Sequence, residues 1–366
     1  MKRALMMGLT VAALCTAGAA VVAQEKGGLD QTGPYEVVAG WFKPGIDKWD
    51  QPVASLFIDR PDRIIITASD QSRTRVNAPM LTADGKVMQE TSKTSTLPPE
   101  QRSHTNMIMV LNADGKAIEH WTQWDKDITF AHNVQISPYD PQRHVWVTDL
   151  GHQILKFTND GKKLVMRLGE KDKPGWDATH FNMPANLAFF PDGTFLVADG
   201  YVNARIAKFD KNGKYISEFG SKGSGPGQFD LVHSIAIDKQ GRIYAADRRN
   251  HRIQVFDASG KFIEEWKNVG NPTRLMITED QYLWMSDADY QRFAKFDLNG
   301  KLLTYWGVPG RNPGEFNNLH NWDVDPSGNL FAADGGNNRI QKFVAKKGAD
   351  PARLMGQQFY PPALKR

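Results

Sequence analysis

The chain has 366 residues, 23% charged and 40% hydrophobic, with 45 basic against 41 acidic side chains and a net charge of +4. That composition excludes a disordered or fibrous chain, and the near balance of charge excludes a surface built to coat nucleic acid. A single Cys excludes a disulfide within the chain and a cysteine-rich metal module, while 32 Gly and 20 Pro suit many short strands and turns.

Residues 1–23 read as a secretory signal peptide. Lys2 and Arg3 precede an apolar run from Ala4, and Val21 and Ala23 stand at the −3 and −1 positions of a cleavage site. Cys15 lies in this run behind Leu14, a poor context for a lipid anchor. Residues 24–34 are expected to form a linker. No later apolar run reaches the length of a membrane span, so no membrane partner is expected after cleavage. The expected location is a periplasm or the extracellular space.

From residue 35 to 358 the chain repeats. Val145–Asp149 (VWVTD), Phe195–Asp199 (FLVAD), Ile243–Asp247 (IYAAD), Leu283–Asp287 (LWMSD) and Leu330–Asp334 (LFAAD) share one pattern, in steps of 50, 48, 40 and 47 residues. A weaker copy ends at Asp70. Each copy reads as four short strands: an alternating run such as His233–Asp238, the strand ending in Asp, a segment such as Asn250–Phe256, and a last strand such as Lys261–Trp266. Glycine turns recur at Gly161, Gly213, Gly260 and Gly300. A period of 40–50 residues with four strands predicts a β-propeller, here all-β with six blades in one domain over 35–358 and a tail at 359–366. Between Asp70 and Asp149 lie 79 residues, and the excess, around 71–104, predicts a long rim loop or a disordered insert.

Three histidines share one repeat position. His233 and His320 each lie 14 residues before the repeated Asp of their copy, and His132 lies 17 before Asp149 with a longer turn between. Ala185 and Thr273 are the equivalents elsewhere. The position opens the innermost strand, so the side chains should face the central channel. Composition alone predicts about 0.15 His over six such positions. A lone His there would be a satisfied core residue; three predict a metal site, since three imidazoles with an open fourth position is a standard catalytic Zn²⁺ arrangement. His144, His152 and His251 sit beside turns and read as structural; His104, His120 and His180 have no evident partners in the sequence.

The segments Asn250–Phe256 (NHRIQVF) and Asn337–Phe343 (NNRIQKF) resemble the NHL repeat. Asp199–Ile206 (DGYVNARI), Gly223–Ser234 (GSGPGQFDLVHS) and Ala246–Gln254 (ADRRNHRIQ), with likeness at Val147–Phe157 and Thr179–Pro184, resemble the peptidyl-α-hydroxyglycine α-amidating lyases (peptidylamidoglycolate lyases). The resemblance covers most of 130–345. It implies a six-bladed NHL-type propeller, a catalytic Zn²⁺ held by His132, His233 and His320, Tyr201 as the catalytic base, and Arg248 as a substrate contact. It also implies a structural Ca²⁺ on the axis, bound partly by an Asp after the third His; Asn321 stands there in this chain, and an Asn oxygen can still ligate. A second substrate arginine of the family belongs to the first blade, where Arg73 and Arg75 are the candidates.

These residue types suit cleavage of a carbinolamide N–C bond. A metal can lower the pKa of the hydroxyl, an ionised phenol can take its proton, and a guanidinium can hold a carboxylate bidentately. Tyr201 after Asp-Gly could instead cap a blade, and Arg248 beside Arg249 could be solvated rim charge. The expected partner is a small-molecule or peptide substrate bearing a carboxylate. A separate hydroxylating enzyme would have to make it, because the chain has no copper monooxygenase domain. Two alternatives stand beside this reading. One is a propeller hydrolase of the lactonase type using the same axial metal; the other is a non-enzymatic NHL scaffold.

Overall fold

A computed structural model describes residues 31–47, 49–69, 80–81, 87–88 and 105–359. The signal segment, most of the linker, Asp70, Arg73, Arg75, His104 and 360–366 lie outside them. Of the 71–104 insertion the description holds one antiparallel pair, Met80–Leu81 with Val87–Met88.

Six four-stranded antiparallel sheets stand around a common axis. Blade one is Val53–Arg60, Arg63–Ala68, Ile108–Leu111 and Ala117–His120; blade two is Ala131–Ile136, Val145–Asp149, Gln153–Phe157 and Leu164–Gly169. Blade three is Asn186–Phe189, Phe195–Asp199, Arg205–Phe209 and Tyr215–Phe219; blade four is Val232–Ile237, Ile243–Asp247, Arg252–Phe256 and Phe262–Lys267. Blade five is Pro272–Ile277, Leu283–Asp287, Arg292–Phe296 and Leu302–Trp306. Blade six takes Leu319–Val324, Leu330–Asp334 and Arg339–Ala345 from the C-terminal end of the chain, and its outer strand, Tyr35–Val38, from the N-terminal end. Tyr35 opposes Ala345 and Val38 opposes Lys342, so the two ends of the domain lock the ring in one sheet.

The second strands are buried along their whole length because both faces of a blade pack against neighbours. The apolar clusters therefore lie between blades: Ala198, Ile206 and Phe229 with Ala245 join blades three and four, and Trp284, Phe293 and Trp306 with Trp322 join five and six. Burial of this kind is worth about 25 cal/mol per Å² and is the main driving force for closing the ring. Outer strands meet solvent on one face and alternate, as in Ala117–His120.

The repeated aspartate is a clamp inside each blade. In blade four the fully buried Asp247 accepts the Asp230 backbone N–H (2.9 Å), the Asn250 amide (2.8 Å) and Arg252 Nε (2.8 Å). Asp199 does the same with Asn182, Asn203 and Arg205, and Asp334 with Asn317, Asn337 and Arg339. Burial pushes the Asp334 carboxyl up to about 6, against the opposing pull of the Arg339 charge. In blade two Gln153 stands in for the arginine. The Asn, Arg and Gln of the repeated segment are thus scaffold, and each ties the loop that enters a blade to that blade's second and third strands.

Candidate metal centre and mouth of the channel

The three histidines reach the axis through a break in the ladder. Ala131 pairs Asp149 and Asn133 pairs Thr148, leaving His132 over; His233 and His320 are skipped in the same way between Val232 and Ser234 and between Leu319 and Asn321. Such a bulge adds one residue to the strand and re-aims its side chain. Both the histidine and the residue after it then line the same axial cavity. Blade one carries the same irregularity at Ala54, which occupies the equivalent position there.

Histidines occupy blades two, four and six; Ala185, Thr273 and Ala54 occupy three, five and one. Each histidine Nδ1–H donates to the backbone carbonyl of the next blade's equivalent residue: His132 to Ala185 (2.8 Å), His233 to Thr273 (2.5 Å) and His320 to Ala54 (2.6 Å). A proton held at Nδ1 leaves the Nε2 lone pair of each ring pointing inward. Ring centroids are 4.7–5.0 Å apart, and one nitrogen from each ring falls within 4.8 Å of the others. Burial, with the Arg248 charge, holds His233 well below the usual imidazole range and His320 at about 4. His233 and His320 are therefore held in the neutral form, the form a metal requires. The set could hold a metal ion and is compatible with Zn²⁺.

Ca²⁺ fares differently. The residues following the histidine position are Ser55, Asn133, Asn186, Ser234, Arg274 and Asn321. They offer no carboxylate and include one guanidinium. Asn321 Oδ1 accepts the Leu56 N–H (3.4 Å) and its amide donates to Asn133 Oδ1 (3.1 Å). A hard dication selects charged oxygen ligands, so this ring does not fit the Ca²⁺ that the resemblance implies.

Tyr201 and Arg248 follow the clamp aspartates of blades three and four, which puts both on one mouth of the channel. The Tyr201 hydroxyl lies 3.1 Å from His132 Nε2 and 3.0 Å from His233 Nε2, so its proton has an acceptor on either ring. Arg248 Nε donates to Asn271 Oδ1 (2.9 Å), and its charge reaches both His233 and His320. The three histidines and Tyr201 are thus brought together, and Arg248 stands on the same mouth against Asn271. Of the remaining described histidines, His120, His144, His180 and His251 face Asn106, Asp140, Asp177 and Asp289, and His152 accepts the Met183 N–H.

Residues 179–291 match a family described as 6-bladed beta-propeller. Over 113 residues (30% of this chain, 32% of the relative) the sequence is 41% identical to a protein of Caenorhabditis elegans named as a probable peptidyl-alpha-hydroxyglycine alpha-amidating lyase. Over 245 residues (59% and 45%) it is 28% identical to peptidyl-alpha-hydroxyglycine alpha-amidating lyase 1 of Drosophila melanogaster. The chain is a six-bladed β-propeller that over part of its length is similar to proteins named as amidating lyases. It spans less than half the length of either of these two relatives. NHL repeat-containing protein 3 of Homo sapiens, named for the repeat alone, is 29% identical over 65% of this chain and 72% of its own length. The stretch shared with the Caenorhabditis elegans protein is about the length of the family match, and the repeat likeness extends well beyond it.

Sequence reasoning did not reach Asn271, which holds Arg248, or Asp289, which accepts the Asn271 amide at 2.9 Å. Two residues before the histidine position, blades two, three and four carry Phe130, Met183 and Leu231, whereas blades five and six carry Asn271 and Asn318, so an asparagine at that position does not by itself mark a partner of Arg248.

Proposed function

We propose that the chain is a metal-dependent lyase that cleaves the N–C bond of a peptidyl-α-hydroxyglycine-type substrate, giving an amide and glyoxylate. The observation that carries this reading is the Tyr201 hydroxyl set between His132 Nε2 and His233 Nε2, on the same mouth as Arg248. His132, His233 and His320 would hold the metal, which when bound supplies Lewis-acid polarisation and a fixed positive charge. The protein groups supply positioning and proton transfer. The Arg248 guanidinium holds the carboxylate of the glycine-derived end as a planar, charge-assisted pair. The Tyr201 oxygen acts as the base that takes the carbinol O–H proton. The O–H electrons form the C=O of glyoxylate as the C–N bond breaks, and the proton passes to the departing nitrogen, so one proton moves from oxygen to nitrogen and no oxidant is consumed.

Residues 1–23 would direct export, and a separate hydroxylating activity would supply the substrate in the same compartment. The test is release of glyoxylate from N-benzoyl-α-hydroxyglycine by the Zn²⁺-loaded mature protein. Stoichiometric benzamide and glyoxylate support the reading. Absence of both, with metal bound, moves the site to another carboxylate-bearing substrate or to a binding role.

A further inference from the structure

Arg248 is held by a neutral group, and that group is held in turn by a charged one. Asn271 Oδ1 accepts Arg248 Nε at 2.9 Å, and Asn271 Nδ2 donates to Asp289 Oδ1 at 2.9 Å. The other oxygen of Asp289 lies 3.3 Å from His251 Nδ1. The backbone beneath this chain is fixed at both ends. The Asn271 and Asp289 N–H groups both donate to Oδ1 of the buried clamp residue Asp287, at 3.0 and 3.1 Å, and the Asn271 carbonyl accepts the Ala288 N–H at 2.9 Å. The amide cannot flip without losing both contacts, because its oxygen would then face a carboxylate and its NH₂ a guanidinium.

We infer that Asn271, oriented by Asp289, is the positioning residue that aims Arg248 at a substrate carboxylate while leaving its charge uncompensated. The assignment rests on the substrate class proposed above. Arginines elsewhere in the blades show what the alternative looks like: Arg205, Arg252 and Arg339 each donate Nε to a buried Asp 2.8–2.9 Å away. A carboxylate directly on Arg248 would orient it equally well and would compete with the substrate for the same charge. The intervening amide separates orientation from neutralisation. It uses the Nε–H and leaves the edge formed by the two Nη groups for an incoming planar anion. Asp289 occupies, in blade five, the repeat position that Tyr201 fills in blade three, two residues after the clamp aspartate. One repeat position thus carries the proposed base in one blade and the anchor of the proposed substrate cation in another.

The experiment is a double-mutant cycle on binding, which needs no turnover. N-benzoylglycine is titrated calorimetrically into Zn²⁺-loaded wild type, Asn271→Asp, Asp289→Asn and Arg248→Ala, and into Asn271→Asp combined with Arg248→Ala. Asn271→Asp places a carboxylate on Arg248 and should weaken binding at least about tenfold. Asp289→Asn should weaken it about two- to fivefold. In the Arg248→Ala background the Asn271→Asp effect should vanish. An unchanged Kd in Asn271→Asp overturns the inference, as does the same loss with Arg248 absent, or a wild type that does not bind N-benzoylglycine. Failure of the lyase reading is separate and visible: wild type then binds N-benzoylglycine with the expected coupling yet releases no glyoxylate from the α-hydroxy analogue.

Discussion

Arg252 and Arg248 lie four residues apart in blade four and place the same guanidinium in opposite settings. Arg252 is 4% exposed and has all its donors engaged, on Asp247, Glu265 and the carbonyls of Ser224, Gly225 and Gln228. Arg248 is half-buried at the channel mouth and rests on one neutral amide. Arg252 belongs to the part of the blade that recurs, with Arg205 and Arg339 as its equivalents; at the Arg248 position the other described blades carry Leu150, Gly200, Ala288 and Gly335. What the blades share holds the ring together. Where they diverge, around the axis and on one mouth, chemistry becomes possible.

The comparison breaks most severely at the axis. His233→Ala removes one of three converging nitrogens but none of the packing between blades. Bound Zn²⁺ should fall from about one equivalent to near zero, and glyoxylate release should be lost with it. Circular dichroism and Tm measured on metal-free protein should stay close to wild type. Elemental analysis showing a full metal complement in this variant would remove the metal centre. Next in size is Tyr201→Phe, which deletes one oxygen and keeps the ring. kcat should fall by roughly 10²–10⁴, the usual contribution of a positioned acid–base group, with KM little changed. A wild-type kcat would take the tyrosine out of the mechanism.

The scaffold side of the comparison predicts the reverse pattern. Arg252→Ala leaves the Asp247 carboxylate buried without its cation, and stability should drop by about 3–5 kcal/mol. Metal content and kcat per folded molecule should be unchanged. Denaturant unfolding read beside Zn²⁺ stoichiometry separates the two classes. If Arg252→Ala lost metal before it lost the fold, scaffold and site would not be separable.

The six blades and the histidine register were legible because both are written as spacing: the repeated aspartate fixes the register, and counting back finds the same position in three copies. The bulge that turns each histidine inward has no sequence mark of its own, since His132, His233 and His320 sit in ordinary alternating runs. The closure by Tyr35–Val38 was also hidden, because a four-residue strand completes a blade whose other strands lie about 300 residues away. Nor could the sequence show that the Nδ1 protons rest on Ala54, Ala185 and Thr273, whose backbone carbonyls accept them whatever the side chain. The implied Ca²⁺ site was already in question at Asn321, and the ring of neighbours, with Arg274 among them, offers a dication no carboxylate.

The smallest expected effect is the one that most sharpens the contrast between the two arginines. Arg248→Ala removes a cation that no carboxylate among the described residues neutralises directly, so the loss should appear only when a ligand carboxylate is present. A charge-assisted pair of this kind is worth about 1.5–3 kcal/mol, which corresponds to a rise in KM of roughly 10- to 150-fold with a smaller change in kcat. Arg248→Lys keeps the charge and loses the fork; it should fall between wild type and Arg248→Ala, because an ammonium can attract the carboxylate but cannot align it. For an N-acyl carbinolamide with a methyl group in place of the carboxylate, all three proteins should converge on the same low kcat/KM. If Arg248→Ala instead lowers kcat equally for both substrates, the guanidinium acts at the breaking bond and not at the carboxylate. The reason would lie in its influence on His233 and His320, whose protonation it already disfavours from the mouth of the channel.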